Sequence, residues 1–240
     1  IKTEKWYRVN QEGLKELQLS ARAKKRLALK ERLLLEQGEQ PLAGLYQDFS
    51  REVVAYFIDQ GVLEITEREV NRAAAYYEGK EQTRALHLNS EQAKAVERVV
   101  FQIGKTSKPF LLEGVTGSGK TEVYLQIIQE VLNKGKTAIM LVPEISLTPQ
   151  MTDRFISRFG QEVAILHSGL SNGEKYDQWR KVERGEAKVV VGARSAIFAP
   201  LKNIGAIIID EEHEASYKQD SNPRYHAREV AVLRAQYNQA

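Results

Sequence analysis

The 240-residue chain has no cysteine, which removes disulfide staples and thiolate metal sites at once. No stretch approaches the ~20 consecutive apolar residues needed to cross a bilayer. The opening segment IKTEKWYRVN carries charge but lacks the apolar centre of a secretory signal. A cytoplasmic location is the expectation these absences leave, in agreement with a reducing compartment. The first residue is Ile1 rather than Met, which points to a fragment. A strong charge of one sign is also missing, since a net charge of +3 is too small to argue for nucleic acid by itself. With 42% apolar and 28% charged residues, disorder is excluded as well, and the length suits one large or two modest domains. No internal repeat or low-complexity segment stands out.

The charge that is present is unevenly placed. Arg22, Lys24, Lys25, Arg26, Lys30 and Arg32 stand against the single acid Glu31. Such a cluster is either a solvated helix face or a helix turned toward phosphates.

The pattern changes near residue 87. Over residues 1–70 the leucines predict a helix from roughly 20 to 37, ended by Gly38 with Pro41 beyond it. A short helix fits 41–47. A third, from about 50 to 60, takes Ser50 as N-cap, buries Val53, Val54, Phe57 and Ile58, and ends at Gly61. The segment VLEITERE then reads as a strand, for which the opening WYRVN is a candidate partner. Three helices followed by a β-wing outline a small winged-helix domain. Its third helix carries Arg51 beside Glu52 and Asp59, which weakens the case for groove readout. Residues 71–87 read as a linker, an exposed connector holding a short helix.

From 88 to 240 strands alternate with helices. Strands are predicted at Phe110–Leu112, Ala138–Val142, Val163–Leu166, Val189–Val191 and Ala206–Ile209, with helices over 90–103, 120–133, 147–159 and 171–184. Continuous apolar strands separated by helices imply an α/β fold, a mostly parallel sheet covered on both faces. Function then belongs at the carboxyl ends of the strands.

Two motifs carry chemistry. Gly114-Val115-Thr116-Gly117-Ser118-Gly119-Lys120-Thr121 is a P-loop, between the apolar FLL and the helical TEVYLQIIQEVL. Its glycines let successive N–H groups face phosphate oxygens, and the helix start adds its positive dipole end. ATP or ADP is the expected ligand, with Lys120 reaching the β- and γ-phosphates of ATP and the Thr121 hydroxyl on magnesium. Farther on, the apolar run Ala206–Ile209 ends in Asp210-Glu211-Glu212-His213. There Asp210 would hold magnesium and Glu211 would take a proton from the attacking water. His213 is either packing or a sensor of the γ-phosphate. His87, His167 and His226 form no metal spacing, so no zinc is expected.

Asp-Glu-x-His after a P-loop resembles the DExH helicases of superfamily two. The stretches GVTGSGKTEVYL, LVPEISLTPQM, LHSGLSNGEK, VVGARSAIFAP and IIIDEEHEASYKQDSNPRYHAREVA are together similar to the bacterial primosomal helicases that restart stalled replication forks. The resemblance is dense from Leu88 to Ala231; residues 1–80 are less distinctive. It implies a RecA-like first helicase lobe over 88–240 and ATP-dependent unwinding in the intact protein. It further implies branched and single-stranded DNA, other primosome proteins and single-stranded-DNA-binding protein as partners, and no membrane. Gln92 is its candidate adenine reader, although a capping segment with Ser90 as N-cap is equally physical. Pro143, Glu144, Ser146, Thr148, Gly192, Ala193, Arg194 and Ser195 lie in strand-end loops that resemble single-strand contacts. Tyr217, Lys218, Gln219, Arg224, Tyr225, His226 and Arg228 interleave aromatics with cations, as single-strand binders do. The expectation for these loops stands beside an ordered, purely structural reading.

The second motor lobe, which supplies an arginine worth ~10³–10⁵ in rate, has no counterpart in the sequence. Weak nucleotide binding and slow or absent hydrolysis are therefore expected of this piece. Two other readings stay open: a different P-loop ATPase, and a fork- or partner-docking module that needs no nucleotide.

Overall fold

The computed structural model describes residues 3–69, 77, 79–115 and 117–240. The chain divides into two compact units, Ile1–Asn71 and Arg72–Ala240.

The first unit runs β1 (Thr3–Val9), α1 (Gln11–Glu16), α2 (Lys24–Leu34), β2 (Glu39–Pro41), α3 (Leu42–Asp48), α4 (Arg51–Asp59) and β3 (Leu63–Glu69). Its antiparallel sheet has the order β2-β1-β3. β1 therefore occupies the centre, and Tyr7 opposes Ile65 across the ladder. The expected pairing of the opening strand with VLEITERE is present. Tyr7, Leu14, Leu29, Leu33, Leu45 and Phe57 close the core beneath it. After α4 the strand pairs with the start of the chain, and no hairpin wing follows it among the described residues.

Local rules explain most boundaries. The Asn10 side chain accepts from the Gly13 N–H at 3.1 Å and so caps α1, a helix the leucine pattern had hidden. α2 is shorter than the predicted 20–37: it lacks a side-chain cap, and Leu35 lies outside it, 86% exposed. Ser50 does occupy the N-cap position of α4, but its hydroxyl makes no capping bond. Gly61, at φ 69°, makes the left-handed turn out of that helix.

The basic cluster is half committed to the unit itself. Arg26 lies 3.9 Å over the Tyr56 ring, Lys30 donates to the Leu17 carbonyl at 2.6 Å, and Arg32 pairs with Asp48 at 2.5 Å. Arg22, Lys24 and Lys25 are exposed.

The second unit contains α5 (Ser90–Gln102), α6 (Lys120–Asn133), β4 (Thr137–Leu141), α7 (Pro149–Phe159), β5 (Val163–Leu166), α8 (Asn172–Glu183), β6 (Val189–Gly192), β7 (Ile204–Ile209), the two-stranded β8 (Lys218–Gln219) and β9 (Tyr225–His226), and α9 (Ala227–Asn238). The four long strands pair in the order β5-β6-β4-β7, all parallel. Alternate strand residues feed two cores on opposite faces, as a pleated strand requires. Ala138, Met140, Val189 and Val191 join α5, α6 and α7. Ile139, Leu141 and Val190 join Val182 of α8 and Ala231 of α9. The α/β architecture expected from the sequence, a parallel sheet with helices on both faces, is the one observed.

One predicted strand is absent. Phe110–Leu112 carries no sheet pairing, and Phe110 and Leu111 are 51% and 71% exposed. Three apolar residues offer few ladder bonds, and Pro109 ahead of them has no N–H to donate.

Within the expected 71–87 linker, residues 71–76 and 78 lie outside the described residues. The rest is fastened to the second unit. Tyr77 is buried and its hydroxyl lies 2.6 Å from the Val163 carbonyl, Lys80 pairs with Asp153, and the Thr83 N–H donates to Ser157 at 2.9 Å. Beneath Tyr77 lies the buried Lys181, 3.9 Å from its ring centre and 3.1 Å from the same carbonyl.

Burial lowers the Lys181 pKa from 10.5 to about 8, with Glu186 pulling weakly the other way. Between those values the unfolded chain binds the proton and the folded chain does not, so stability rises with pH across that window and falls as pH drops through 8. Above pH 10 Tyr77, raised by burial to about 12, works in the opposite direction. Lys181→Met is expected to raise the melting temperature at pH 7, and its advantage over wild type should shrink by pH 10. Calorimetry at the two pH values measures this; a constant gap would contradict it.

Candidate functional site

The phosphate loop is built from glycine conformations. Gly117 and Gly119 sit at φ 81° and 84°, where other side chains are strained. A Cβ on Gly114 would come within 2.7 Å of the Ser118 hydroxyl. Gly119 is also the N-cap of α6 and supplies no side-chain acceptor, so the donors of the first turn are left for a ligand. The Lys120 ammonium lies inside this curl, 2.8 Å from the Gly114 carbonyl and 3.4 Å from Glu211. Thr121 follows on the same turn; Thr116 lies outside the described residues.

The acidic group meets it from the sheet. The Asp210 N–H donates to Leu141 at 2.9 Å, one residue past β7. Tyr124 of α6 donates its hydroxyl to Asp210 Oδ1 at 3.1 Å, and Tyr217 donates to the Asp210 carbonyl at 2.6 Å. Burial raises the Asp210 pKa above the ordinary aspartate value; the Tyr124 hydrogen bond and Lys120 pull it down, and Glu211 adds to the rise. Glu211 takes φ 47°, a left-handed conformation that costs a non-glycine residue about 1 kcal/mol. It thereby faces Lys120. His213 is 73% exposed, with Nε2 3.6 Å from Glu211.

This donor set fits a magnesium nucleotide. The oxygens come from one hydroxyl and one carboxylate, and a hard, strongly hydrated cation of that kind is held through few protein ligands plus phosphate. The steric need for glycine at 114 and the ammonium already inside the loop fit the phosphates.

Several expected contacts prove to be braces. Gln92 accepts from the Asn89 N–H at 2.9 Å and donates to the Ser118 and Gly119 carbonyls at 3.3 and 3.4 Å. Its amide thus locks a capping box to the phosphate loop, and the N-cap is Asn89, not Ser90. Pro143 is buried at the exit of β4, which removes it as a surface contact. Arg194 donates to the carbonyls of Ser216 and Lys218 at 3.1 and 3.0 Å and to the Gln219 side chain at 3.2 Å. These bonds gather the loop 216–219, while the buried Arg194 Nε has no hydrogen-bond partner among the described residues. Tyr217 is 1% exposed and presents no ring face to a base.

Other members stay at the surface. Thr148 caps α7 through Met151 while remaining exposed, and Ser195 is exposed. Lys218 pairs with Asp220 at 3.2 Å and Arg228 with Glu212 at 2.9 Å, both at the surface. Arg224 is exposed, and Tyr225 is half-buried, edge-on to Phe198 at 4.9 Å. The β8–β9 hairpin, pairing Lys218 with His226 and Gln219 with Tyr225, brings these last residues together.

Sequence reasoning missed Tyr124 and Glu122. Helical spacing from Lys120 and Thr121 was the available signal for Tyr124, since residues three and four apart share a face. Glu122 makes a two-pronged ion pair with the nearly buried Arg158 of α7, at 3.2 and 2.9 Å, and also accepts from Gln126 and the Leu86 N–H. Burial pushes its carboxyl up, but Arg158, Gln126 and Leu86 outweigh that and hold it below the usual glutamate value. Its stabilising effect is present above the unfolded pKa and lost as pH falls through the lower folded one. Glu122→Ala leaves Arg158 buried without its charge partner and should cost about 3 kcal/mol in denaturant unfolding. Glu122→Gln should blunt the loss of stability in acid. A cost near zero for the alanine variant would show that solvent satisfies Arg158.

Residues 85–239 match the family model described as "Type III restriction enzyme, res subunit". The chain is 56% identical over 192 residues to the Replication restart protein PriA of Bacillus subtilis, covering 80% of this chain and 24% of that protein. It is 54% identical over 159 residues to the Synechocystis PriA and 49% over 151 residues to that of Haemophilus influenzae, each covering 63% of this chain. It spans a quarter or less of these curated relatives, 24%, 19% and 20% of their lengths. The UvsW helicase from Bacteriophage T4 aligns over 88% of the chain at TM-score 0.43 and 17% identity, too distant a likeness to fix the fold.

Proposed function

The chain belongs to the family described as Type III restriction enzyme, res subunit, and on that premise we propose that its second unit is the ATP-binding lobe of a DNA helicase of replication restart. The observation that carries this reading is the meeting of α6 with the acids after β7, Lys120 lying 3.4 Å from Glu211 and Tyr124 3.1 Å from Asp210. Strand-end acids facing a helix-head lysine across a glycine loop suit triphosphate chemistry.

In this reading the phosphate loop holds the β- and γ-phosphates of ATP, with Lys120 turning from the Gly114 carbonyl toward them. Thr121 and Asp210 would hold magnesium, which would supply charge neutralisation. Glu211 orients water and accepts its proton. His213, beside Glu211, reports the state of the site. Gln92 would have to release its cap or the phosphate loop before it could read adenine. Thr148, Ser195, Lys218, Arg224 and Tyr225 offer a single strand exposed hydroxyls, cations and one ring. Unwinding, work at forks and partnership with primosome proteins or single-stranded-DNA-binding protein are proposed from the relatives named PriA, for the longer chain. A cytoplasmic location goes with that role; among the described residues, no helix is long and apolar enough to cross a membrane.

The first unit is proposed as a winged-helix variant whose wing strand comes from the chain start. Its α2 cations are half committed to internal contacts, which favours docking over groove readout.

Titration of a fluorescent ADP analogue with magnesium tests the nucleotide site. Wild type should saturate, and Lys120→Ala should lose at least about tenfold in affinity, the scale of a charge-assisted phosphate contact. Addition of single-stranded DNA should shift the wild-type curve. Equal binding by both proteins would rule out the phosphate loop as the site.

A further inference from the structure

Two tyrosine hydroxyls from different elements meet on one residue. Tyr124 reaches the Asp210 carboxylate from α6 at 3.1 Å, and Tyr217 reaches its carbonyl at 2.6 Å from the turn 215–217. The rings need no hydroxyl for packing, because both lie among apolar neighbours: Tyr124 with Val123, Ile127 and Ile128, Tyr217 with Ile139 and Ala227. The hydroxyls therefore have a separate role. A carboxylate just past a strand end can turn about two torsions, and a hydrogen-bond donor of fixed direction removes that freedom.

Tyr124 sits on the helix that carries Lys120 and Thr121, so it sets the carboxylate against the phosphate-binding helix rather than against its own loop. Tyr217 does the same for the main chain, from a loop that Arg194 braces at Ser216 and Lys218. We infer that Tyr124 and Tyr217 are positioning residues that hold Asp210 in the orientation a nucleotide-bound magnesium ion requires. The inference rests on the magnesium-nucleotide reading above and gives Tyr124 and Tyr217 a role that neither the phosphate-loop pattern nor the interleaved aromatic run assigns them. It also gives the aromatic loop a route to the metal site: displacement of residues 216–219 pulls on Asp210 through Tyr217.

Tyr124→Phe and Tyr217→Phe each delete one oxygen and keep the ring. The experiment titrates a fluorescent ADP analogue over a magnesium series and in EDTA, on wild type and both variants. Affinity in EDTA should match wild type. The magnesium concentration for half-maximal enhancement should rise about tenfold in Tyr124→Phe, the range seen when a partner of a metal ligand is removed. Tyr217→Phe should move it in the same direction. With Asp210→Asn as background, Tyr124→Phe should add nothing, because both changes act through one carboxylate.

A purely structural role would change melting temperature and leave the magnesium midpoint in place, and that outcome overturns the inference while nucleotide binding stands. If Tyr124→Phe is too unstable to titrate, Tyr217→Phe carries the same readout. Wild type that binds no nucleotide at any magnesium concentration overturns the parent reading, and this inference with it.

Discussion

The hydrogen bond from the Asp210 N–H to the Leu141 carbonyl, 2.9 Å long, continues the parallel ladder between β4 and β7 beyond its last assigned pair. The chemistry of the second unit depends on where that ladder stops. In a parallel sheet all strands finish on one edge, so the segments after Leu141, Leu166, Gly192 and Ile209 emerge side by side. The glycine loop and the head of α6 complete that edge. A slip of one residue in β7 would turn Asp210 to the opposite face, and in one direction would set Ile209 in its place.

Around this edge, polar side chains divide into those that shape loops and those left to solvent. Arg194, Gln92 and Glu144 belong to the first group; Glu144 accepts from the Ser168 N–H at 2.9 Å and hydroxyl at 2.5 Å, tying two loops together. Gln92 and Arg194 are half-buried, where polar groups are held by bonds to the protein, although the Arg194 Nε stays without a partner among the described residues; Glu144 is exposed and serves as a tie between loops. These bonds tie the loops to one another, while shorter groups such as Thr148 and Ser195 stay exposed. A similar division holds in the first unit, where Arg26, Lys30 and Arg32 stabilise helix contacts and the first turn of the basic run faces water.

A second network ties the phosphate-loop helix to α7. Glu122, one residue after Thr121, grips Arg158 and also holds Leu86, while Thr83 bonds Ser157. Residues 79–87 thus follow two helices that carry the site. The Glu122–Arg158 pair joins α6 to α7, whose N-cap Thr148 stands in one of the exposed loops.

The elements legible in the sequence were those whose cause is local. Glycines at 114, 117 and 119 fold a loop wherever they occur, because their backbone freedom is intrinsic. The apolar runs at 138–142, 163–166, 189–191 and 206–209 read as buried strands since only a doubly covered sheet hides both faces. Helices between them announced themselves by period, and Asp210 by its position after a run of apolar residues. Tertiary structure alone decided the rest. Whether Tyr217 stacks on a base or lies in a core depends on what covers it, and an interleaving of rings and cations is the same string in either case. Arg194 is identical in composition whether it meets phosphate or three loop acceptors. The strand expected at Phe110–Leu112 needed a partner edge that no local pattern can guarantee. Local conformation follows from neighbours in the chain, whereas burial, pairing and the direction of a side chain are set by residues such as Tyr124 and Asp210, 86 positions apart.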